Sequence, residues 1–160
     1  MIRTSATIFV FALLTFAPAA QAQAPAAYDA MIARHAAANG VPEALVRRVI
    51  VRESRYNPRA IGLGGAMGMM QIKTATARAM GYTGGPAGLL DADVNMTYAV
   101  KYLAGAYRAA NGNHDLAVSY YARGYYYQAK RQGFSPYGPV ALPERKSRRA
   151  SVTPAGEFVR

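Results

Sequence analysis

The stretch VRRVIVRESRYNPRAIGLGGAMGMMQI, residues 46–72, decides the fold and points to a functional residue. Val46, Val49, Ile50 and Glu53 share one face of a helix, because their spacing follows the helical repeat. A carboxylate that continues an apolar stripe is unfavourable unless it has a partner, a proton or a function. The pattern therefore predicts an amphipathic helix and makes Glu53 a candidate functional residue.

The same stretch ends its helix and then enters a glycine-rich loop. Asn57 precedes Pro58, which disfavours the α region for Asn57, so the helix is expected to end near Arg55. Four glycines follow between positions 62 and 68. Such a loop is expected to turn sharply or to bring its backbone close to another group.

The chain from Tyr28 to about Gly133 reads as a mainly α domain, with apolar residues at helical spacing and no convincing alternating strand. Its length of 160 residues favours one compact domain, which we assign to residues 23–133. Start and stop signals predict helices over Tyr28 to Ala38, from Pro42 as first helical residue to about Arg55, from a cap at Thr74 to Gly81, from a cap at Asp93 to about Ala110, and from a cap at Asp115 onwards.

The two ends of the chain differ from this domain in composition. Residues 1–22 combine Arg3, an apolar run over 6–17 and a small-x-small cleavage pattern at 20–22. The apolar run is shorter than the roughly 20 residues that span a bilayer, so we expect a cleavable export signal, no membrane anchor and a periplasmic location. Residues 134–160 are predicted to form a basic, disordered tail.

The composition excludes several kinds of site and favours an anionic partner. The chain has no cysteine, which excludes disulfides, thiolate metal sites and a cysteine nucleophile. His35 and His114 are isolated, so no metal or other cofactor is expected. With 19 basic and 8 acidic residues the net charge is +11, and loss of Arg3 with the signal leaves +10. Without a recognised nucleic-acid-binding module, wall polymer is favoured over nucleic acid as the partner.

Sorting the 8 acidic residues by position isolates Glu53. The others lie at predicted helix starts, in a turn before such a start, or in the tail: Asp29, Glu43, Asp93 and Asp115; Asp91; Glu144 and Glu157. Glu53 has no such explanation. It could form a buried ion pair with Arg34 or Arg123, or act as an acid, because desolvation raises the pKa of a carboxyl group.

Tyrosines and methionines suggest the kind of ligand that such an acid would serve. The chain has 12 tyrosines and no tryptophan, and several tyrosines lie in the last two predicted helices. Tyrosine rings can pack on sugar rings while their hydroxyls form hydrogen bonds, although core packing accounts for many of them. Met67, Met69 and Met70, beside glycines, could line a groove or belong to the core.

Several ordered blocks between residues 53 and 124 resemble the soluble lytic transglycosylase (SLT) domain family. The blocks are Glu53-Ser54, Asn57-Pro58-x-Ala60, GAMGMMQ at 65–71, Thr76-Ala77, LLDADVNMTYAVKYL at 89–103 and AVSYYARG at 117–124. The resemblance implies a mainly α, lysozyme-like domain with a glycan-binding groove.

The resemblance also implies roles for individual residues. Glu53 corresponds to the single catalytic acid, and Tyr121 to the tyrosine whose hydroxyl approaches that carboxyl. Substrate-binding roles are implied for Ser54, Gly68, Met69, Met70, Gln71 and Tyr120. The chain departs from the family pattern where Met69 replaces a leucine, Ala99 replaces a frequent glycine, and Ala122-Arg123 replaces an asparagine followed by a small residue.

The implied reaction is cleavage of peptidoglycan between N-acetylmuramic acid and N-acetylglucosamine, with formation of a 1,6-anhydro ring and no cofactor. Glu53 would act first as acid and then as base. Small exported members of the family often serve secretion systems, pili or flagella, so such a machine is a further expected partner. Two alternatives stay open: a hydrolytic muramidase that uses Asp91 or Asp93 to position water, and a non-catalytic protein that binds the wall or assists assembly.

Overall fold

The structure is a computed structural model that describes residues 26–138. The described residues form α1 Asp29–Asn39, α2 Glu43–Glu53, β1 Ala66–Met67, β2 Ile72–Lys73, α3 Thr74–Ala79, α4 Ala92–Ala109, α5 His114–Arg123 and α6 Tyr126–Arg131. Short 3-10 turns lie at Ala26–Tyr28, Leu63–Gly65 and Pro86–Leu90. The predicted mainly α fold is confirmed, and the predicted export signal lies outside the described residues.

The long helix α4 is the centre of the core. It packs against α1, α5 and the 3-10 turn Pro86–Leu90. Met96, Val100 and Leu103 recur at helical spacing on its buried side and are inaccessible to solvent. Because α4 contacts elements from both halves of the chain, it fixes the loop after α2 relative to α5.

The amphipathic helix α2 has the predicted buried face, since Val46, Val49 and Ile50 are fully buried. It ends at Glu53, two residues before the predicted end. Arg55 has a positive φ of 52°, and left-handed backbone cannot continue a right-handed helix. Glu53 therefore occupies the last helical position, at the edge of the loop that follows.

The capping residues of α4 and α5 differ from those predicted. Asp91, rather than Asp93, caps α4, because its carboxylate accepts a hydrogen bond of 2.9 Å from a backbone N–H three residues later. Asn113, rather than Asp115, caps α5 with the same geometry and distance. Both caps have extended backbone, whereas Asp93 and Asp115 already lie inside their helices, so their side chains cannot reach the unpaired N–H groups.

The starts of α2 and α3 are each shifted by one residue from the prediction. Pro42 has an extended ψ of 132° and precedes α2, which begins at Glu43. Thr74 is the first residue of α3 rather than its cap, and Lys73 occupies the cap position without a capping side-chain hydrogen bond.

The structure contains a short hairpin and a final helix, α6, that the sequence pattern does not reveal. β1 and β2 pair antiparallel, with Ala66 opposite Lys73 and Met67 opposite Ile72. Strands of two residues are too short for an alternating pattern to be visible. Gly124, with a φ of 87°, separates α5 from the residues that lead into α6.

The packed part of the domain continues beyond Gly133. The guanidinium of Arg108 lies 4.2 Å from the ring centre of Phe134, and the Tyr125 hydroxyl lies 2.8 Å from the carbonyl oxygen of Pro136. Phe134 and Pro136, predicted to belong to the tail, thus contact the domain, and residues 139–160 of the predicted tail lie outside the described residues. Between residues 26 and 138, no helix is both long enough and apolar enough to cross a bilayer.

Candidate active site

An open cleft of about 470 Å³ lies between the end of α2, the loop and hairpin after it, and the end of α5. Polar or charged side chains enter its lining from all of these elements and from α3 and α4: Arg52, Glu53, Gln71, Lys73, Thr76, Tyr102, Tyr121 and Arg123. Leu63, Ala66 and Ile72 contribute apolar surface. The cleft is therefore open to solvent but has a partly apolar wall.

Glu53 lies in this cleft at the last position of α2, with 21% of its side chain exposed. Burial raises the pKa of its carboxyl group, and the positive charge of Arg52 opposes that rise. The Arg52 Nε lies 3.7 Å from Glu53 Oε1, too far for a hydrogen bond. Desolvation is the larger effect, so the protonated form of Glu53 persists to higher pH than in an exposed glutamate.

The two ion pairs considered for Glu53 are not formed in the described structure. Arg34 instead pairs with Asp93, whose carboxylate also lies 2.6 Å from His35 Nε2. Arg123 lines the cleft but makes no salt bridge to Glu53. A strong ion pair therefore does not explain the carboxylate on the apolar face of α2.

Tyr121 also lines the cleft, and its side chain is almost entirely buried. Its hydroxyl donates a 2.8 Å hydrogen bond to the carbonyl oxygen of Met70. Burial raises the pKa of Tyr121 well above its ordinary value, and the negative charge of Glu53 raises it further. The hydroxyl is thus a neutral group whose proton is held by the loop, and its oxygen remains able to accept a hydrogen bond.

Ser54 holds the same loop at a second point. Its hydroxyl donates a 2.6 Å hydrogen bond to the carbonyl oxygen of Met69, and the residue itself terminates α2. Ser54 does not belong to the cleft lining. Its placement next to Glu53 therefore indicates support of the loop rather than direct contact with a ligand.

Gln71 lines the cleft with a left-handed backbone, at a φ of 51°. Its side-chain amide nitrogen donates to the carbonyl oxygens of Ala60 and Gly68, at 3.0 and 2.9 Å. Its side-chain oxygen lies against Gly62, where a Cβ would collide with it. Because both donors are used by the loop, the oxygen is the group of Gln71 that remains to accept from a ligand.

Gly68 and Asn95 fix the loop to the core. Gly68 is buried with a φ of 72°, and a Cβ there would collide with the carbonyl oxygen of Leu89 and the side-chain amide of Asn95. Asn95 is fully buried and accepts from the backbone N–H of Met70, while donating to the carbonyl oxygens of Met67 and Leu89, each at 2.8 Å. These contacts therefore hold the backbone of the loop in a fixed position against the core.

Like Ser54 and Gly68, three further predicted substrate-binding residues do not line the cleft. Met69 and Met70 are fully buried in the core, so only their backbone takes part in the loop that forms the wall. Tyr120 is partly buried against the core and does not line the cleft. The structure thus brings together Glu53 and Tyr121, with Gln71 beside them, and places the methionine side chains behind this wall.

The other described acids are all outside the cleft. Asp91 caps α4, and Asp93 binds Arg34 and His35, which lowers its pKa chiefly through the His35 hydrogen bond. Asp115 pairs with Arg48. Among residues 26–138, Glu53 is therefore the one carboxylate that lines the cleft, and no cluster of three or more potential metal ligands occurs in this range.

Four cleft residues have no role in the sequence-based prediction: Arg52, Lys73, Thr76 and Tyr102. Lys73 is the last residue of the short hairpin, which no alternating pattern in the sequence predicts. Thr76 is part of a motif that resembles the SLT family, but its position facing a cleft depends on how α3 packs. Tyr102 contacts Tyr121 edge-on at 5.5 Å, and burial raises its pKa to about 12. Tyr102 belongs to the block at 89–103 that resembles the SLT family, but its position in the cleft depends on how α4 packs.

The helices around α4 and the cleft beside α2 define a lysozyme-like domain. The crystal structure of the 70 kDa soluble lytic transglycosylase of Escherichia coli is similar, with a TM-score of 0.59 and 26% identity over 62% of this chain and 17% of that chain. The family model described as Transglycosylase SLT domain matches residues 30–134. The chain belongs to this family, as its motifs predict.

Two curated relatives support the same assignment. Peptidoglycan transglycosylase gp16 of Escherichia phage T7 is 38% identical over 103 residues, and the soluble lytic murein transglycosylase of Escherichia coli strain K12 is 28% identical over 107 residues. Each match covers 62% of this chain. The chain spans only 8% and 16% of the length of these two relatives.

Proposed function

We propose that the protein is an exported peptidoglycan lytic transglycosylase that cleaves the β-1,4 bond between N-acetylmuramic acid and N-acetylglucosamine. The observation that carries this proposal is the single described carboxylate in the cleft, Glu53, whose pKa is raised by burial. The SLT family and the names of the two curated relatives agree with this substrate class.

In the proposed reaction, Glu53 donates its proton to the glycosidic oxygen, which leaves as the 4-hydroxyl of N-acetylglucosamine. The N-acetyl oxygen of the muramic residue stabilises the positive charge that develops at its anomeric carbon. The Glu53 carboxylate then takes the proton of the C6 hydroxyl, and that oxygen bonds to the anomeric carbon. The 1,6-anhydro ring closes, Glu53 is protonated again, and neither water nor a cofactor is consumed.

The surroundings of Glu53 suit this exchange between acid and base. Partial burial raises the pKa of Glu53 and so favours its protonated form, while contact with the open cleft lets the carboxyl reach a ligand. Tyr121 presents a hydroxyl oxygen from the buried side, and Gln71 presents its amide oxygen from the loop. We assign Tyr121 to orienting Glu53, Gln71 to binding sugar, and Ser54 to holding the loop that carries Gln71.

A hydrolytic muramidase would need a second group to position water, and an ordinary glycosidase uses a second carboxylate about 5 to 10 Å from the first. Asp91 and Asp93 are both engaged away from the cleft, as the cap of α4 and as the partner of Arg34 and His35. This arrangement favours the substrate-assisted route with one carboxylate over the hydrolytic alternative.

The cellular setting is part of the same proposal. The export signal predicted at residues 1–22 would release the domain into the periplasm, where peptidoglycan lies. The basic charge of the chain suits an acidic wall polymer or an anionic component of an envelope machine, such as a secretion system, pilus or flagellum.

The reaction is tested by digesting purified peptidoglycan and identifying the products by mass spectrometry. The protein should release 1,6-anhydro-muropeptides, and Glu53→Gln should reduce the yield by about a hundredfold or more. Glu43→Gln is the matched control, because Glu43 lies on the same helix with its side chain half exposed and outside the cleft.

Each other outcome has a distinct meaning. Reducing-end products, heavier by one water, would make the protein a hydrolase. Equal yields from the protein and Glu53→Gln would exclude Glu53 as the acid. Binding without products from either would favour the non-catalytic, wall-binding alternative.

A further inference from the structure

Three cationic side chains line the cleft that contains only one described carboxylate. Arg52 lies near the end of α2, Lys73 at the end of β2 and Arg123 at the end of α5. Lys73 and Arg123 make no salt bridge within residues 26–138, and Arg52 makes only the 3.7 Å approach to Glu53. We call these three residues the cationic rim.

The cationic rim has no structural explanation as a set. A cation at the end of a helix is favoured by the helix dipole, which accounts for Arg52 or Arg123 taken singly. It does not account for a lysine on the hairpin facing the same cleft. Convergence of three positive charges on one cleft, without matching acids, leaves a positive potential that an anionic ligand would neutralise.

We propose that the cationic rim binds a carboxylate of the muramic acid substituent, and that Arg123 is a specificity-determining residue for it. This inference rests on the proposed function, because it places the glycan in the cleft. The two sugars differ in that muramic acid carries a lactyl ether. That group ends either in its own carboxylate or in a stem peptide that bears carboxylates.

Arg123 is the member of the rim best suited to this contact. Its guanidinium can form two parallel hydrogen bonds with a carboxylate, which an ammonium group cannot. The residue is exposed and lies directly before Gly124, whose positive φ ends α5 at the cleft. It is also the second residue of the Ala122-Arg123 pair, at which this chain departs from the family pattern, so the contact would be a property of this chain.

Binding a carboxylate would also affect the acid. The positive charge of Arg52 lowers the pKa of Glu53, against the effect of burial. An anion that pairs with the rim offsets that charge and so favours the protonated, active form of Glu53. Substrate that carries the carboxylate would thus help to keep the acid ready, whereas substrate without it would not.

The test compares kcat/KM on four strand preparations: peptide-bearing strands, strands freed of peptides so that lactyl carboxylates are exposed, and each of these two kinds after chemical amidation of its carboxylates. Arg123→Gln should lower kcat/KM by about tenfold on strands with the relevant carboxylate, the size expected for one charge-assisted contact. It should have little effect on amidated strands. Arg123→Lys should recover part of the loss, and Arg131→Gln, an exposed arginine outside the cleft, is the control.

The strand preparations also identify the source of the carboxylate. A loss on peptide-free strands alone indicates the lactyl carboxylate, because that group is an amide in peptide-bearing strands. A loss on peptide-bearing strands alone indicates a stem-peptide carboxylate, and a loss on both kinds indicates that the cationic rim accepts either carboxylate. An equal loss on amidated and unmodified strands, or no loss on any strand, would overturn the proposal.

A binding measurement separates this inference from the proposed function. Glu53→Gln and the double variant Glu53→Gln/Arg123→Gln are titrated with the same strands, which gives dissociation constants without turnover. The double variant should bind unmodified strands about tenfold more weakly, and this difference should disappear on amidated strands. That result supports carboxylate binding by the cationic rim even where no anhydro product is found. Unchanged binding overturns it even where Glu53 proves to be the acid.

Discussion

Asn95 and Tyr121 bind the backbone of the same residue, Met70, one at its N–H group and the other at its carbonyl oxygen. The side-chain oxygen of Asn95 accepts from the N–H of Met70, and the hydroxyl of Tyr121 donates to the Met70 carbonyl oxygen, each at 2.8 Å. Asn95 belongs to α4 and Tyr121 to α5, so two helices hold the backbone of one residue behind the cleft wall. Gln71, the next residue, is positioned for the cleft by this arrangement.

We expect Asn95→Ala to lower the free energy of unfolding by about 3 kcal/mol. The change leaves the N–H of Met70 and the carbonyl oxygens of Met67 and Leu89 without their buried partner, and each such loss costs roughly 1 to 3 kcal/mol before relaxation. Denaturant unfolding measures the effect. Thr97→Ala, at an exposed position on the same helix, should change the free energy by less than about 0.5 kcal/mol. A loss no larger than that of the control would show that the loop repacks without Asn95.

Glu53 can be identified from the sequence because the two features that single it out are local. It lies on an apolar helix face, and it has no capping role at a helix start. The sequence does not distinguish Asp91 from Asp93 as the cap of α4, since two acids so close to a helix start satisfy the same rule. Asp93 already lies inside α4, and its carboxylate contacts His35 of α1, which is 58 residues away in the chain. Contacts at that separation leave no trace in local spacing.

The burial of Met69 and Met70 in the core cannot be predicted from the sequence either, because it depends on the backbone conformation of the loop. A glycine-rich loop is normally exposed, so methionines there are compatible with a groove wall. In the structure the left-handed turns at Gly68 and Gln71 direct the intervening side chains into the core. The residues that form the cationic rim are similarly invisible, because their convergence depends on tertiary packing.

Substitution of glycine at positions 65 and 68 should separate backbone strain from steric collision. Both residues have positive φ, of 76° and 72°. A Cβ at Gly65 meets nothing within 4 Å, whereas one at Gly68 collides with Leu89 and Asn95. Gly65→Ala should therefore cost about 1 kcal/mol of stability from the backbone alone, and Gly68→Ala about 3 kcal/mol or more. Equal losses, measured by thermal unfolding, would mean that the loop moves freely enough to accept the extra carbon.

Tyr121→Phe should reduce both stability and activity. The ring keeps its packing, but the hydrogen bond to the Met70 carbonyl is lost, which should cost about 1 kcal/mol. Because Tyr121 shares the cleft with Glu53 and is affected by its charge, kcat should fall about tenfold and the pH dependence of kcat should shift. Tyr120→Phe is the control, at a tyrosine on the same helix that does not line the cleft. A loss of stability with an unchanged kcat and pH profile would confine Tyr121 to a structural role.

Arg52→Gln should move the alkaline limb of the pH profile of kcat to higher pH. Glu53 must be protonated to act as an acid, so activity falls as pH rises through its pKa. The charge of Arg52 lowers that pKa, and removing the charge lets burial raise it further. Arg48→Gln is the matched control, because Arg48 is on the same helix but pairs with Asp115 outside the cleft. A limb that moves to lower pH would show that Arg52 does not act on Glu53 by its charge.

Glu53→Gln should stabilise the fold at neutral pH and leave it unchanged in acid. The pKa of Glu53 is raised in the folded state by burial, so the folded state binds this proton more tightly than the unfolded chain does. Below the unfolded pKa of about 4.3 the carboxyl is protonated in both states and glutamine offers no advantage. As pH rises through the folded pKa, the folded protein must hold a partly buried charge, and the neutral amide avoids that cost.

The melting temperature of the variant should exceed that of the protein by on the order of 2 °C at pH 8, and the difference should vanish near pH 4. Glu43→Gln, which removes an exposed partner of Arg47, should show no gain at any pH. A variant that is less stable than the protein at pH 8 would mean that the ionised carboxylate of Glu53 is favourably paired in the fold.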